Sequence, residues 1–78
     1  MKVNNVLDQA VRLSLENYFA DLGDTEPTDL YDMVVGCVER PLLAVAMQRA
    51  NNNQSRAALM LGVTRNTLRK KLLAHKLI

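Results

Sequence analysis

Residues 54–72 read Gln-Ser-Arg-Ala-Ala-Leu-Met-Leu-Gly-Val-Thr-Arg-Asn-Thr-Leu-Arg-Lys-Lys-Leu, and they carry the most specific structural pattern in the chain. A helix-turn-helix needs two helices that cross through a short turn, often containing glycine, so that the second helix can enter a groove of nucleic acid. Ala58 is small where the helices would approach, and Gly62 can take the left-handed conformation of the turn. The stretch therefore predicts a helix-turn-helix.

The bounds of the two helices follow from their capping residues and apolar spacing. The first helix is predicted over residues 54–61, and the second from Arg65 to about Ala74 or His75. Thr64 is placed to cap the second helix. A small core shared by the two helices is expected from Leu59, Val63, Leu68 and Leu72.

A further helix is predicted upstream, because apolar residues recur at three- and four-residue steps from Val6 to Leu22. Asn5 is the expected N-cap of this helix, and Gly23 suits the left-handed position after its end.

A long helix is predicted over residues 29–49, with Thr28 as its N-cap. The helical spacing of apolar residues continues without a shift through Pro41. This proline lacks the N–H that would bond to the preceding turn, so a kink is expected there. Two short helices meeting at Arg40 would also fit. Apolar residues lie on more than one face of this segment, so one partner helix would not cover it.

The size of the chain points to a homodimer. Seventy-eight residues allow one compact domain, and domains this small usually need disulfides, a metal or oligomerisation. The single cysteine, Cys37, excludes an intrachain disulfide and is expected to be a buried small hydrophobe. The sequence thus predicts an all-α fold of four helices. Residues 1–50 form an intertwined dimer core, and residues 51–78 form the helix-turn-helix.

Charge is divided sharply along the chain. Residues 1–39 hold all eight acids and only Lys2 and Arg12, a net −6, whereas residues 40–78 hold eight Lys/Arg and no acid, a net +8. An ordinary helical hairpin with a solvated basic face would usually mix the two signs. The uncompensated positive charge favours a polyanion, double-stranded DNA, as the partner. The acids are expected to cap helices and to face away from the DNA.

Roles within the motif follow from geometry. Arg65 opens the recognition helix and is the best candidate for base readout, since a guanidinium can bond guanine O6 and N7 together; Arg69 could also reach a base. The phosphate candidates lie at the start of the first helix and along the second. They are Asn53, Gln54, Ser55, Arg56, Thr67, Lys70 and Lys71, of which Arg56 could equally be a structural brace.

Other function classes find little support. His75 has no Cys, Asp or Glu within helical reach, and the acids from Asp21 to Asp32 do not match the spacing of a calcium loop. No enzyme activity, metal or cofactor is expected. No stretch approaches the roughly 20 apolar residues of a membrane span, and residues 1–5 lack a signal-peptide pattern, so a cytoplasmic location is expected.

The chain resembles the Fis family of bacterial DNA-binding proteins. The resemblance covers nearly the whole chain and rests on Asn53–Leu72, Arg40-Pro41-Leu42-Leu43, Asn17-Tyr18-Phe19-Ala20 and Asp29-Leu30-Tyr31. It implies a homodimer with interlocked first and second helices, and a nucleoid-associated protein that bends DNA and regulates transcription, with RNA polymerase as a candidate partner. It also implies recognition helices closer than one turn of B-DNA, so that bending and a narrow central minor groove favour A/T-rich centres.

Carried onto this chain, the resemblance assigns base reading to Arg65 and backbone contacts to Asn53, Ser55, Thr67, Arg69, Lys70 and Lys71. Thr64 stands where well-known members have an asparagine that touches bases, and a threonine can instead contact a thymine methyl. Asn66 replaces a smaller residue.

The chain begins almost at the first helix, without the family's β-hairpin arm, so DNA bending without efficient stimulation of DNA inversion is expected. The alternatives are the DNA-binding domain of an NtrC-type activator and, in another class, a helical protein-interaction adaptor.

Overall fold

The computed structural model describes residues 3–78, with side chains from Asn5 onward. Met1 and Lys2, part of the segment compared with the signal-peptide pattern, lie outside the described residues. Four helices and no strand occupy this part of the chain, which confirms the all-α class. The helices are α1 (Val3–Leu22), α2 (Leu30–Arg49), α3 (Gln54–Leu61) and α4 (Arg65–Ala74).

Helix α1 ends as predicted but begins earlier. Gly23 takes a left-handed φ of 63°, and its N–H donates to the carbonyl of Phe19 at 3.2 Å. The N-cap predicted at Asn5 is wrong, because the helix already runs from Val3. Asparagine prefers caps but is tolerated inside a helix, so its presence alone could not fix the first turn.

Helix α2 runs unbroken through Pro41, so the alternative of two helices meeting at Arg40 is wrong. The bend at the proline stays a prediction. The N-cap is Asp29 rather than the predicted Thr28, and its carbonyl accepts from the N–H of Met33 at 3.1 Å. Both residue types suit an N-cap, and the Asp29 side chain makes no capping hydrogen bond, so side-chain preference did not select the position.

The buried core lies within the second half of the molecule. Its members come from α2, from the C-cap of α2, from α3 and from α4, and none comes from the described side chains of α1: Leu43, Ala46, Met47, Ala50, Ala57, Ala58, Leu68 and Leu72. Leu61, Val63 and Leu77 pack against this cluster. The core is therefore what joins the helix-turn-helix to α2.

One predicted core residue is wrong. Leu59 is 84% exposed, whereas Leu61 packs against the core. Ala57 and Ala58 form the buried side of α3, and Leu61 follows them by four and three residues, so it lies on the same face of the helix. Leu59 is only one or two residues from the alanines and is turned away.

An open apolar groove of about 720 Å³ separates α1 from α2. Leu15 and Tyr18 of α1 and Val34 and Val38 of α2 are among its lining residues. Cys37 also lines it and is exposed, so the prediction of a buried cysteine is wrong for the single chain. It sits on a side of α2 that looks into the groove rather than into the core. Among the described residues, no helix is both long and apolar enough to traverse a bilayer.

Candidate nucleic-acid interface

The start of α3 is built by an asparagine-rich turn. Asn51 and Asn52 both take positive φ, at 54° and 64°, a conformation that asparagine tolerates better than most residues. Asn53 then caps α3, because its Oδ1 accepts from the N–H of Arg56 at 3.1 Å. This cap leaves the first backbone N–H groups of α3 directed outward from the helix end.

The turn between α3 and α4 is organised by Gly62, whose φ of 76° is left-handed as predicted. The Gly62 N–H donates to the carbonyl of Ala58 at 2.9 Å, and the Val63 N–H donates to the same carbonyl at 3.1 Å. These bonds satisfy the last carbonyls of α3 and allow the chain to reverse within three residues. Ala58 is buried at this approach, as expected from its small size.

Helix α4 begins at a cap made by two threonines. The Thr64 Oγ1 accepts from the N–H of Thr67 at 3.1 Å and donates to the Thr67 Oγ1 at 2.9 Å. The N-cap predicted at Thr64 is confirmed. Because both hydroxyl groups are engaged with each other, they fix the first turn of α4, which carries Arg65.

The two faces of α4 differ completely in environment. Leu68 and Leu72 are fully buried against α2 and α3, whereas Arg65, Arg69 and Lys70 are exposed. The buried leucines fix the rotation of the helix about its axis. The side chains of Arg65, Arg69 and Lys70 are left in solvent.

The remaining phosphate candidates lie near the start of α3. Ser55 and Arg56 are exposed, and the Arg56 guanidinium makes no ion pair with the described residues, so a bracing role has no partner there. Gln54 is half-buried, and its Oε1 is buried without a hydrogen-bond partner among the described residues. Its side chain is thus directed inward, and the backbone N–H groups are the accessible part of this helix end.

Lys71 differs from the other cationic residues, because it belongs to a polar cluster that joins α2 to α4. Its Nζ lies 2.7 Å from Glu39 Oε2, and His75 Nε2 lies 2.8 Å from Glu39 Oε1. Hydrogen bonds from Lys71 and, secondarily, from His75 lower the pKa of Glu39 below its usual range. An ionised carboxylate only accepts, so the His75 Nε2 carries the hydrogen.

This cluster corrects one sequence expectation, because Glu39 does not face away from the basic half but pairs with Lys71 of α4. No acid lies within helical reach of His75, as expected, and its acidic neighbour Glu39 comes instead from α2. The partners are 32 and 36 residues apart, so helical spacing could not reveal the contact. The sequence offered one indication that Glu39 faces the core side of α2, namely its position one helical turn before Leu43.

No group of three or more potential metal ligands occurs within residues 3–78. Helices α3 and α4 are capped by Asn53 and Thr64, and they carry the exposed cationic side chains of Arg56, Arg65, Arg69 and Lys70.

A family model described as "Bacterial regulatory protein, Fis family" matches residues 36–75, which run from within α2 to the end of α4. The chain belongs to the Fis family. This Fis-family chain is 53% identical over 72 residues to a Fis-like DNA-binding protein of Neisseria meningitidis, covering 92% of this chain and 91% of that protein. The family predicted by resemblance is confirmed.

Two further Fis-family relatives extend the comparison. A Fis-like DNA-binding protein of Ralstonia nicotianae is 50% identical over 74 residues, covering 95% of this chain and 96% of that protein. The DNA-binding protein Fis of Actinobacillus succinogenes is 54% identical over 69 residues, covering 88% of this chain and 70% of that protein. The similarity therefore includes α1 and α2 as well as the helix-turn-helix.

Proposed function

We propose that this Fis-family chain is a homodimeric protein that binds and bends double-stranded DNA, associates with the cytoplasmic nucleoid and regulates transcription. The observation that carries the proposal is the orientation of α4. Its position is fixed by the buried Leu68 and Leu72, and Arg65, Arg69 and Lys70 of the same helix are exposed. A helix held in this way is suited to the major groove, where its N-terminal residues contact base edges. The relatives named as DNA-binding proteins support the same partner.

Base readout is proposed for the first turns of α4. Arg65 is the first helical residue and is exposed, so its guanidinium can reach a guanine from the end of the helix that enters the groove. Thr64 directs its hydroxyl into the cap, which leaves its methyl group as the part that can contact a thymine methyl. Arg69 lies one turn further along and extends the readout.

Phosphate contacts are proposed on both sides of the recognition residues. The N-terminus of α3 combines unpaired backbone N–H groups with a favourable helix dipole, and Asn53, Gln54, Ser55 and Arg56 surround it. Thr67 and Lys70 provide contacts from α4. Such contacts fix the register of the protein on the duplex and supply most of the affinity that does not depend on sequence.

The dimer is proposed from the apolar groove between α1 and α2. Monomers rarely expose large contiguous apolar surfaces, yet Leu7, Met33, Leu42 and Val45 are exposed along this groove. A second copy would bury it and would bring two α4 helices to one side of a twofold assembly. Bending would then follow from fitting both helices into successive major grooves.

The proposed base readout is tested by comparing the affinity for two duplexes. One has a guanine near each end of its core, and in the other these guanines are replaced. Affinity should fall steeply with salt, with a slope of about −0.9 per phosphate neutralised. Arg65→Ala should lose roughly 5- to 160-fold of the discrimination, which corresponds to about 1 to 3 kcal/mol for a bidentate contact. Arg12→Ala removes an equal charge from α1 and should retain discrimination. Unchanged discrimination in Arg65→Ala would remove that residue from the readout.

Sedimentation and gel mobility test the assembly and the bend. A particle of twice the 8.7 kDa chain mass is expected at micromolar concentration, and complexes with the site at the centre of a fragment should migrate more slowly than those with it at an end. A folded monomer would contradict the shared core. Binding that is absent or insensitive to salt would favour the protein-interaction adaptor.

A further inference from the structure

We propose that Glu39 is a positioning residue for DNA recognition: it anchors the C-terminal part of α4 to α2 and keeps the Lys71 ammonium from serving as a phosphate contact. The inference rests on the proposed DNA binding. It gives Lys71 a role different from the phosphate contact expected from the sequence.

The anchor continues the buried contact between the two helices. On α2, Glu39 precedes the buried Leu43 by four residues and Met47 by eight, so the carboxylate lies at the head of the face that enters the core. On α4, Lys71 and His75 follow the buried Leu68 by three and seven residues, on the side that meets α2. The polar cluster thus closes the apolar contact at one end.

The two hydrogen bonds of the Glu39 carboxylate hold one end of α4 in place. Glu39 uses one carboxylate oxygen for each partner, and Lys71 lies in the last turn of α4 whereas His75 is its C-cap, so the carboxylate restrains this end of the helix at two points. The side chains of Glu39 and His75 are only 23% and 16% exposed, whereas that of Lys71 is 39% exposed, so the contact with His75 is the better shielded of the two. Charge-assisted hydrogen bonds in such a setting are stronger than those of a freely solvated pair.

Restraint at this end of α4 determines the placement of Arg65 at the other. Six residues separate Arg65 from Lys71, a distance of roughly 9 Å along the helix axis. If the anchor were lost, a tilt of about 10° would displace the start of the helix by roughly 1.5 Å, which exceeds the tolerance of about 0.5 Å for a functional constellation. Loss of the anchor should therefore reduce discrimination between sequences.

The same contact changes the charge available to DNA. The ammonium of Lys71 is neutralised by the carboxylate, whereas Arg65, Arg69 and Lys70 have no acidic partner among the described residues. Releasing Lys71 should add up to one phosphate contact per subunit and strengthen binding that does not depend on sequence. Loss of the carboxylate should thus raise general affinity while it lowers discrimination, two effects that simple destabilisation would not produce together.

The first test compares Glu39→Ala with Glu26→Ala in the full chain, on guanine-containing and guanine-replaced duplexes over a range of salt. Glu26 is an exposed acid in the loop before α2, so its replacement is matched in charge. Glu39→Ala should steepen the salt slope by about 0.9 per subunit and reduce discrimination roughly fivefold or more. Glu26→Ala should do neither. Equal behaviour of the two variants would overturn the proposal.

The second test uses Lys71→Gln and Lys70→Gln, and it remains decisive if Glu39→Ala does not fold. Lys71→Gln should leave the salt slope close to that of the unmodified chain and should lower discrimination. Lys70→Gln should flatten the slope by about 0.9 per subunit. A slope flattened by that amount in Lys71→Gln would overturn the positioning role. Failure of the unmodified chain to bind DNA would instead contradict the proposed function itself.

Discussion

Replacement of Leu72 by alanine tests whether burial in α4 holds the recognition helix in place. Leu72 is fully buried, and the adjacent Leu73 is 51% exposed on the same helix, so the pair compares one substitution in two environments. Leu72→Ala should cost about 2.7 to 5 kcal/mol through lost burial and the cavity left behind. Leu73→Ala should cost about 0.5 kcal/mol or less, because surface changes away from special features are usually small.

These costs are large against the stability expected for the chain. At about 0.05 to 0.15 kcal/mol per residue, a 78-residue domain has roughly 4 to 12 kcal/mol in total. Urea denaturation followed by circular dichroism measures the loss, and the melting temperature of Leu72→Ala should fall by at least roughly 10 °C. DNA affinity should fall with it, although Leu72 has no route to DNA.

Equal urea midpoints for Leu72→Ala and Leu73→Ala would contradict this prediction. That result would mean that the two leucines share one environment and that α4 is not fixed by its contact with α2 and α3.

Three further predictions concern local structure and pH. Thr64→Ala removes the acceptor for the Thr67 N–H and should cost about 1 kcal/mol in urea unfolding, whereas Thr64→Ser should retain the cap. Gly62→Ala should cost about 1 to 2 kcal/mol, measured as a lower melting temperature, from the left-handed backbone alone, because no atom lies within 4 Å of the added Cβ. The pKa of Glu39 is lowered by its hydrogen bonds, chiefly from Lys71. Its contribution to stability should therefore be present above its usual pKa of 4.5 and lost as pH falls through the lower folded value. Urea midpoints between pH 7 and pH 3 should show a smaller acid-induced loss in Glu39→Gln than in the unmodified chain, and an identical loss would contradict the ion pair.

The helix-turn-helix was predictable because its determinants are local. The caps at Asn53 and Thr64 involve residues three apart, and the reversal at Gly62 needs only a residue that accepts positive φ. The bounds of α3 and α4 follow from these contacts, and the N-cap at Thr64 makes Arg65 the first helical residue of α4.

Local residue preferences could not locate the start of a helix or its buried face where neighbouring residues had the same preference. Thr28 and Asp29 are both good caps, and only the folded chain showed that α2 starts after the second. Five consecutive apolar residues, 57–61, make α3 apolar in every direction, so the pattern could not identify which leucine turns inward. Packing against α2 selected the face with Ala57, Ala58 and Leu61 and left Leu59 in solvent.

Four helices, a basic second half and a capped recognition helix could be inferred from the sequence alone, because periodicity, capping and charge depend on near neighbours. The place where that charge is compensated became visible only in the packing of the helices. Glu39 reaches Lys71 and His75 across more than thirty residues, a contact that exists because the core brings α2 against α4. Helical spacing places a side chain on a face of its own helix, whereas the identity of what that face meets depends on how the helices pack.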